Sequence, residues 1–412
     1  MHKQSIQVHQ LENGLTLLIE QMKHVQSAAF TLMTPAGVAY EPNGKNGTAA
    51  AALDLMTRGA GGRSSREITA ALDSLGVQGN DSAGWNFLSF SGAALAENVA
   101  EAIPIYAKIL REPLLPEDQF PAMINGTLQS LLAIEDDPQR KVFVELRKLC
   151  YDAPWGRPSD GTLEDIRSLT YDDLVSHVGQ KVRPNGALIG VAGNVDPALI
   201  RETIETCFGD WQPLPEPQFE VTPAANGIHH IDHESTQTHI GLAFPGVQYG
   251  SPDYLTAWAA VSILSGGSSS RLFTEVREKR GLCYSVYATL NSLLTEGRIL
   301  AYAGTTTERA QETLDVMMTE IRKLGEGIED AELRRCKARA KSALIMQQES
   351  TGARASSIAR DWFHLHRVKT LEEIHSEVEA ITVEQIQDFL KKHPMEDPTL
   401  LTIGAKPLQL NS

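Results

Sequence analysis

Apolar and polar positions change their period several times along the chain, and those changes mark its elements. In "TYDDLVSHV" the apolar residues Leu174 and Val178 recur at helical spacing behind Thr170, which predicts a short amphipathic helix with a threonine N-cap. The continuously apolar run "ALIGVAG", Ala187 to Gly193, then predicts a buried strand. "SEVEAITVEQIQDFL" and "TLLTIGA" repeat this grammar near the end of the chain. Laid 212 positions apart, Ile166, Leu169, Thr170, Leu174 and Leu188 meet Val378, Ile381, Thr382, Ile386 and Leu400. The starts of the two halves agree in kind: "SAAFTLMTPAGVAYEP" and "THIGLAFPGVQYGSP" each read as a strand, a Pro/Gly turn and a departing segment. Between start and finish run helical stretches such as "DAELRRCKARAKSALIMQQES".

Pro213, Pro215, Pro217 and Pro223 cluster in a stretch that neither a helix nor a central strand accommodates. It reads as a linker and divides the chain into domains 1–216 and 217–412. The expected class is α+β: two similar domains from an internal duplication, each a mixed β-sheet covered by helices. A length of 412 residues agrees, being too large for one typical core.

A formal charge of -15 without a concentrated basic stripe repels phosphate backbones, so nucleic acid is not the expected partner. Apolar runs are far shorter than a membrane span of roughly 20 residues. The N-terminal stretch has no apolar core of signal-peptide length, and Cys150, Cys207, Cys283 and Cys336 show no paired spacing. Reduced thiols in a cytoplasmic protein are the expectation.

Familiar catalytic patterns are missing or incomplete. No GxSxG elbow or GxxxxGK[ST] phosphate loop occurs, and Ser82 in "GNDSAG" has no base in its sequence context. On a helix His229, Asp232 and His233 of "HHIDH" would share a face and form a metal site. The flanking "PAANG" and "THIGLAFPG" favour a strand, which separates them. "GGSSSRL" reads either as a phosphate-binding loop ahead of a helix or as a plain Gly/Ser cap.

One stretch, "SSSRLFTEVREKRGLCYSVYA", joins a charged helical segment, a single glycine and an alternating strand. A helix from Arg271 to Arg280 would stop at Gly281, with Glu275 and Lys279 paired at i,i+4 and Arg280 lacking an acidic partner. In the strand beyond, Leu282, Tyr284, Val286 and Ala288 alternate with Cys283, Ser285, Tyr287 and Thr289. Arg280 and Tyr284 can then converge on one carbonyl as donors. Alternatively, a cation simply stabilises a helix end beside a packed tyrosine.

With "NGTAAAALDLMTRGAGG", "RPNGALIGVAGNVDPALIRETIETCFGDW" and "YDAPWGRPSDGTLEDIRSLT", that stretch resembles the pitrilysin or insulinase-type zinc metallopeptidases over essentially the whole chain. The resemblance implies a clam-shell half-chamber and a first-half helix bearing HxxEH. Here the ligand and base positions fall on Ala50, Leu53 and Asp54, and the distal ligand position falls near Ser130. It therefore implies a non-catalytic subunit that binds no cofactor itself. Arg280 and Tyr284 would contact peptide substrate, with Gly266 and Gly267 as a shortened substrate-guiding loop. The implied partner is a homologous HxxEH-containing chain carrying zinc. A catalytically inert scaffold, as in the respiratory-complex core proteins of the same superfamily, is the alternative.

Overall fold

The computed structural model of the chain describes residues 4–411. In chain order the first half contributes β1 (Ile6–Gln10), β2 (Thr16–Gln21), β3 (Ser27–Pro35), the short β4 (Gly59–Ala60) and β5 (Arg63–Ser64), β6 (Gln78–Ala83), β7 (Phe87–Leu95) and β8 (Leu188–Gly193). The second half contributes β9 (Ile228–Asp232), β10 (Gln237–Gly246), β11 (Cys283–Ser292), β12 (Gly297–Thr306) and β13 (Thr399–Gly404).

A six-stranded sheet has the order β1-β2-β8-β3-β7-β6, and a five-stranded sheet has the order β11-β12-β10-β13-β9. Read from opposite ends, and leaving out β1, the two orders match strand for strand. In each, one neighbouring pair is parallel, β2 with β8 and β13 with β9, while the remaining pairs are antiparallel. The duplication is thus a repeated topology. Its caps repeat as well: Thr170 with Asp173 and Thr382 with Gln385 form reciprocal capping boxes. Leu174 and Ile386 are wholly buried one turn later, each contributing roughly 1.5–3 kcal/mol.

The chain divides into two compact units, though not by a single cut. The first holds residues up to Ala133, Ala153–Thr222 and Ile345–Thr370; the second holds Ile134–Asp152, Pro223–Leu344 and residues from Leu371. Domains 1–216 and 217–412 therefore miss two exchanged segments. Helix Pro138–Cys150 belongs to the second unit, and helix Thr351–Leu365 belongs to the first. These helices occupy corresponding places in the two repeats. Glycines on the receiving strands make room for them. A Cβ on Gly190 of β8 would lie 2.2 Å from the Ala355 carbonyl oxygen, and one on Gly241 of β10 would lie 2.7 Å from Val142 Cγ1.

In the first unit the docked helix is also pinned electrostatically. Arg354, 1% exposed at its side chain, pairs with Glu20 of β2, 5% exposed, at 2.8 Å.

The Pro-rich segment is tied to the first unit as far as Thr222. Asn185 exchanges hydrogen bonds with Leu214 at 2.9 and 3.0 Å, and Phe219 packs against the rings of Tyr40 and Trp155. Thr222 and Ala153 then exchange backbone bonds of 2.8 and 3.3 Å, which moves the boundary to 222/223. Among the described residues no helix is long and apolar enough to cross a membrane.

Candidate functional site

The stretch ahead of β11 is wound more loosely than an α-helix. Phe273–Glu278 is a π-helix, and Lys279 N–H reaches back to Thr274 O at 2.9 Å. That winding brings Arg280 over Glu275, five residues earlier. Arg280 Nη1 donates to the Glu275 carbonyl at 2.8 Å and to its Oε2 at 2.7 Å, while Lys279 Nζ takes Oε1 at 2.6 Å. Lys279 first, then Arg280, hold the Glu275 carboxyl below the usual carboxylate range. The expected Glu275–Lys279 pair is present. The expectation that Arg280 lacks an acidic partner fails, because it assumed 3.6 residues per turn.

Gly281 ends the segment in the left-handed region, φ 56°. Its carbonyl and that of Arg280 accept from Arg309 at 3.1 and 3.2 Å, so a residue of the second repeat fixes the turn. Sequence spacing gives no sign of this role for Arg309, 28 positions away.

Beyond the glycine, regular alternation breaks. Cys283 pairs with Thr305 and Ser285 with Gly304, leaving Tyr284 as the extra residue of a β-bulge. Cys283, Val286 and Ala288 are buried, whereas Tyr284 is 85% exposed. Strict alternation would have buried Tyr284 with Val286 and Ala288; the bulge turns it outward instead. Burial pushes the neighbouring Cys283 thiol up to about 11, so it stays protonated.

The guanidinium beside Tyr284 is that of Arg277. Its Cζ lies 5.0 Å from the Tyr284 ring centroid and 4.7 Å from that of Phe273, and it donates no hydrogen bond among the described residues. Cation–π attraction orients ring and cation without using their polar donors. Arg277 and Tyr284 thus present free N–H and O–H groups to solvent together.

Gly266 and Gly267 follow helix Tyr254–Ser265. A Cβ on Gly266 would lie 2.5 Å from Arg339 Nη1, and one on Gly267 would lie 2.9 Å from the same atom. The two glycines admit a guanidinium from helix Asp330–Gln347.

In the first unit, helix Thr48–Thr57 carries Ala50, Leu53 and Asp54. The buried Glu41 caps it from a distance, accepting from Gly47 N–H at 3.1 Å and Ala49 N–H at 2.8 Å. Ala50 and Leu53 have no donor atom, and Leu53 is 4% exposed. Both oxygens of Asp54 are taken by Arg58, at 2.7 and 3.3 Å. Ser130 Oγ donates to Gly126 O at 3.2 Å on helix Phe120–Glu135. This set does not fit zinc, which takes four N, S or O ligands. Among the described residues no three His, Cys, Asp or Glu side chains are grouped to hold a metal ion.

His229 and Asp232 lie on β9, and His233 lies just beyond it. His229 Nε2 approaches Asn226 O at 2.5 Å, while His230 contacts Thr402 Oγ1 and Asp232 Oδ1.

Two family models match the chain: "Insulinase (Peptidase family M16)" over residues 16–161 and "Peptidase M16 inactive domain" over residues 168–340. An uncharacterized zinc protease of Rickettsia felis is 27% identical over 410 residues, 99% of each chain. An uncharacterized zinc protease of Bacillus subtilis is 27% identical over 401 residues, 95% of this chain and 97% of its own. Among solved structures, a peptidase M16 inactive domain from Pseudomonas fluorescens superposes with TM-score 0.89 at 22% identity, covering 99% of this chain and all of that one. A chain of complex III from Candida albicans superposes with TM-score 0.81 at 20% identity, covering 97% and 96%. The structural likenesses carry the fold, and the family models carry the assignment: this chain belongs to the insulinase family of peptidases, M16.

Proposed function

We propose that this chain is the non-catalytic, substrate-binding subunit of a heterodimeric zinc peptidase. The observation that carries the reading is a contrast between the two repeats. The first has Ala50, Leu53, Asp54 and Ser130 where a metal site would need donors, and the second has Tyr284 turned out to solvent beside a free guanidinium. The partner is a homologous chain with HxxEH, which supplies the metal, its ligands and the base. This chain supplies hydrogen bonds to the peptide backbone. Tyr284 is assigned the substrate contact, and the cation at its side is Arg277, while Nη1 of Arg280 is held by Glu275. The net charge of -15 favours basic peptides. Mixing this chain with an HxxEH homologue should produce peptide hydrolysis that neither shows alone, and a mixture no more active than the homologue alone would contradict the proposal.

A second reading is an inert scaffold. The ion pair of Arg280 with Glu275 favours it, because Nη1 of the guanidinium is turned to the chain's own carboxylate and carbonyl. Under this reading, changing Arg277 or Tyr284 leaves peptide binding by the assembly untouched.

A further inference from the structure

Strand β9 closes one end of the five-stranded sheet, with β13 as its single neighbour. Its counterpart in the first unit is β2, since each belongs to the one parallel pair of its sheet. There the likeness stops. The outer edge of β2 is covered by β1, which runs antiparallel to it from Ile6–Glu20 to Gln10–Thr16. Among the described residues no strand lies beyond β9.

The ladder to β13 decides what this edge presents. Leu400 N–H donates to Gly227 O at 2.9 Å, and His233 N–H donates to Gly404 O at 3.1 Å. With Leu400 in register with Ile228 and Gly404 with Asp232, both bonds commit the odd-numbered residues of this strand to β13. The N–H and C=O groups of Ile228, His230 and Asp232 therefore point away from the sheet. No backbone bond among the described residues meets them.

Exposed edges are usually blunted by lysine, proline or a bulge. The opposite edge of this sheet has such a device, the bulge at Tyr284 in β11. In β9, "IHHID" has no lysine or proline, and its register is unbroken. At its start Ile228 is 59% exposed, although its neighbour in register, Leu400, is wholly buried. The hydrophobic core thus reaches the rim and ends in an uncovered apolar side chain. At the other end of the strand the Asp232 carboxylate is 93% exposed.

Neither the chain's own ends nor a second copy suits the edge. Ser5 O accepts from Gln21 N–H at 3.1 Å beside β2, and Gln409 N–H donates to Gln311 Oε1 at 3.0 Å. Two β9 strands paired antiparallel along all their outward residues would set Ile228 against Asp232 and His230 against itself. A different sequence can instead place an apolar residue on Ile228 and a cation on Asp232.

We infer that β9 is a docking edge for an extended segment of another protein, which adds to the sheet as an antiparallel strand in the place that β1 occupies in the first unit. Such a segment carries an apolar residue against Ile228 and a basic one against Asp232. This edge is separate from the site at Tyr284, whose strand β11 lies at the other end of the same sheet.

The test is fluorescence anisotropy of a labelled, acetylated and amidated peptide, Lys-Ile-Thr-Gln-Val, titrated with the full chain. Laid antiparallel, its lysine meets Asp232, its threonine His230 and its valine Ile228. Saturable binding is expected. N-methylation of the threonine removes an N–H that faces β9 and should weaken binding about tenfold or more. The glutamine N–H faces away, so N-methylation there should leave binding within about twofold. Ile228→Pro removes an outward N–H at the first position of an edge strand, where proline is tolerated, and should also weaken binding about tenfold. Its urea midpoint shows that the fold is retained. No saturable binding, equal losses for the two N-methyl peptides, or binding unchanged by Ile228→Pro would overturn the inference. So would self-association of the chain that Ile228→Pro abolishes, because a second copy would then hold the edge.

Discussion

Arg277 lies over the ring of Tyr284 with its Cζ 5.0 Å from the centroid, while Arg280, nearer in sequence, is turned back onto Glu275. The two arginines therefore have separable effects. In the assembled peptidase, Arg277→Ala and Tyr284→Phe should each lower turnover by about 100-fold, the usual loss for one donor to a developing charge. Arg280→Ala removes an exposed ion pair and a hydrogen bond to the Glu275 carbonyl, together worth about 1–2 kcal/mol of stability. Steady-state peptide hydrolysis and urea unfolding of the three variants check this; a larger rate loss for Arg280→Ala than for Arg277→Ala would reverse the assignment.

Much of the repeat was legible because it is written in short-range signals. The N-caps Thr170 and Thr382 and the apolar strands behind them need only local spacing, and the structure has both boxes and both strands. The exchange of helices Pro138–Cys150 and Thr351–Leu365 was hidden, because the hydrophobic face of a helix does not say which sheet it covers. Gly190 and Gly241 were its only local traces. At the site, the position of Gly281 and the Glu275–Lys279 pair followed from helix rules. The π-helix and the bulge at Tyr284 did not, since each adds a residue to a regular period under tertiary pressure. Those two irregularities decide which arginine meets the tyrosine.

The buried Arg354–Glu20 pair anchors an exchanged helix to a strand 334 positions away. Arg354→Met leaves a buried carboxylate without its partner, and a loss of about 3–5 kcal/mol in urea unfolding is expected. Adding Glu20→Gln should recover part of that loss, because the stranded charge is gone. A single variant costing less than the double would contradict the pinning role.

Two buried groups bend the pH dependence of stability in opposite directions. Burial lowers His177 from its ordinary 6.5 to about 4, with its Nε2 within 2.8 Å of Ala36 O. Its contribution is complete above 6.5 and is lost as pH falls toward 4, because the unfolded chain takes up the proton first. Burial raises Glu41 from 4.5 to about 8, against the amides of Ala49 and Gly47. Its contribution is complete below 4.5 and is lost as pH rises through 8. In urea midpoints across this range, His177→Gln should flatten the fall on the acid side, and Glu41→Gln should flatten the fall toward pH 8. Unchanged slopes would contradict the assigned burial effects.

Chelation separates this chain from a metal-binding relative. Folded structural zinc sites contribute on the order of 10 kcal/mol, and removing such an ion shifts unfolding strongly. With Ala50, Leu53, Asp54 and Ser130 at the metal positions, the unfolding temperature of the isolated chain should be the same with and without a strong chelator. A fall on chelation would show a metal site elsewhere, with His229, Asp232 and His233 the first to change.

The central claim is that this chain works as one half of a two-chain peptidase. Native mass spectrometry of the chain isolated from its own cells tests it most directly. The account predicts a complex of this 45.0 kDa chain with one homologous chain of similar size and a single zinc, carried by the partner. A monomer or homodimer without metal, or zinc on this chain alone, would contradict it.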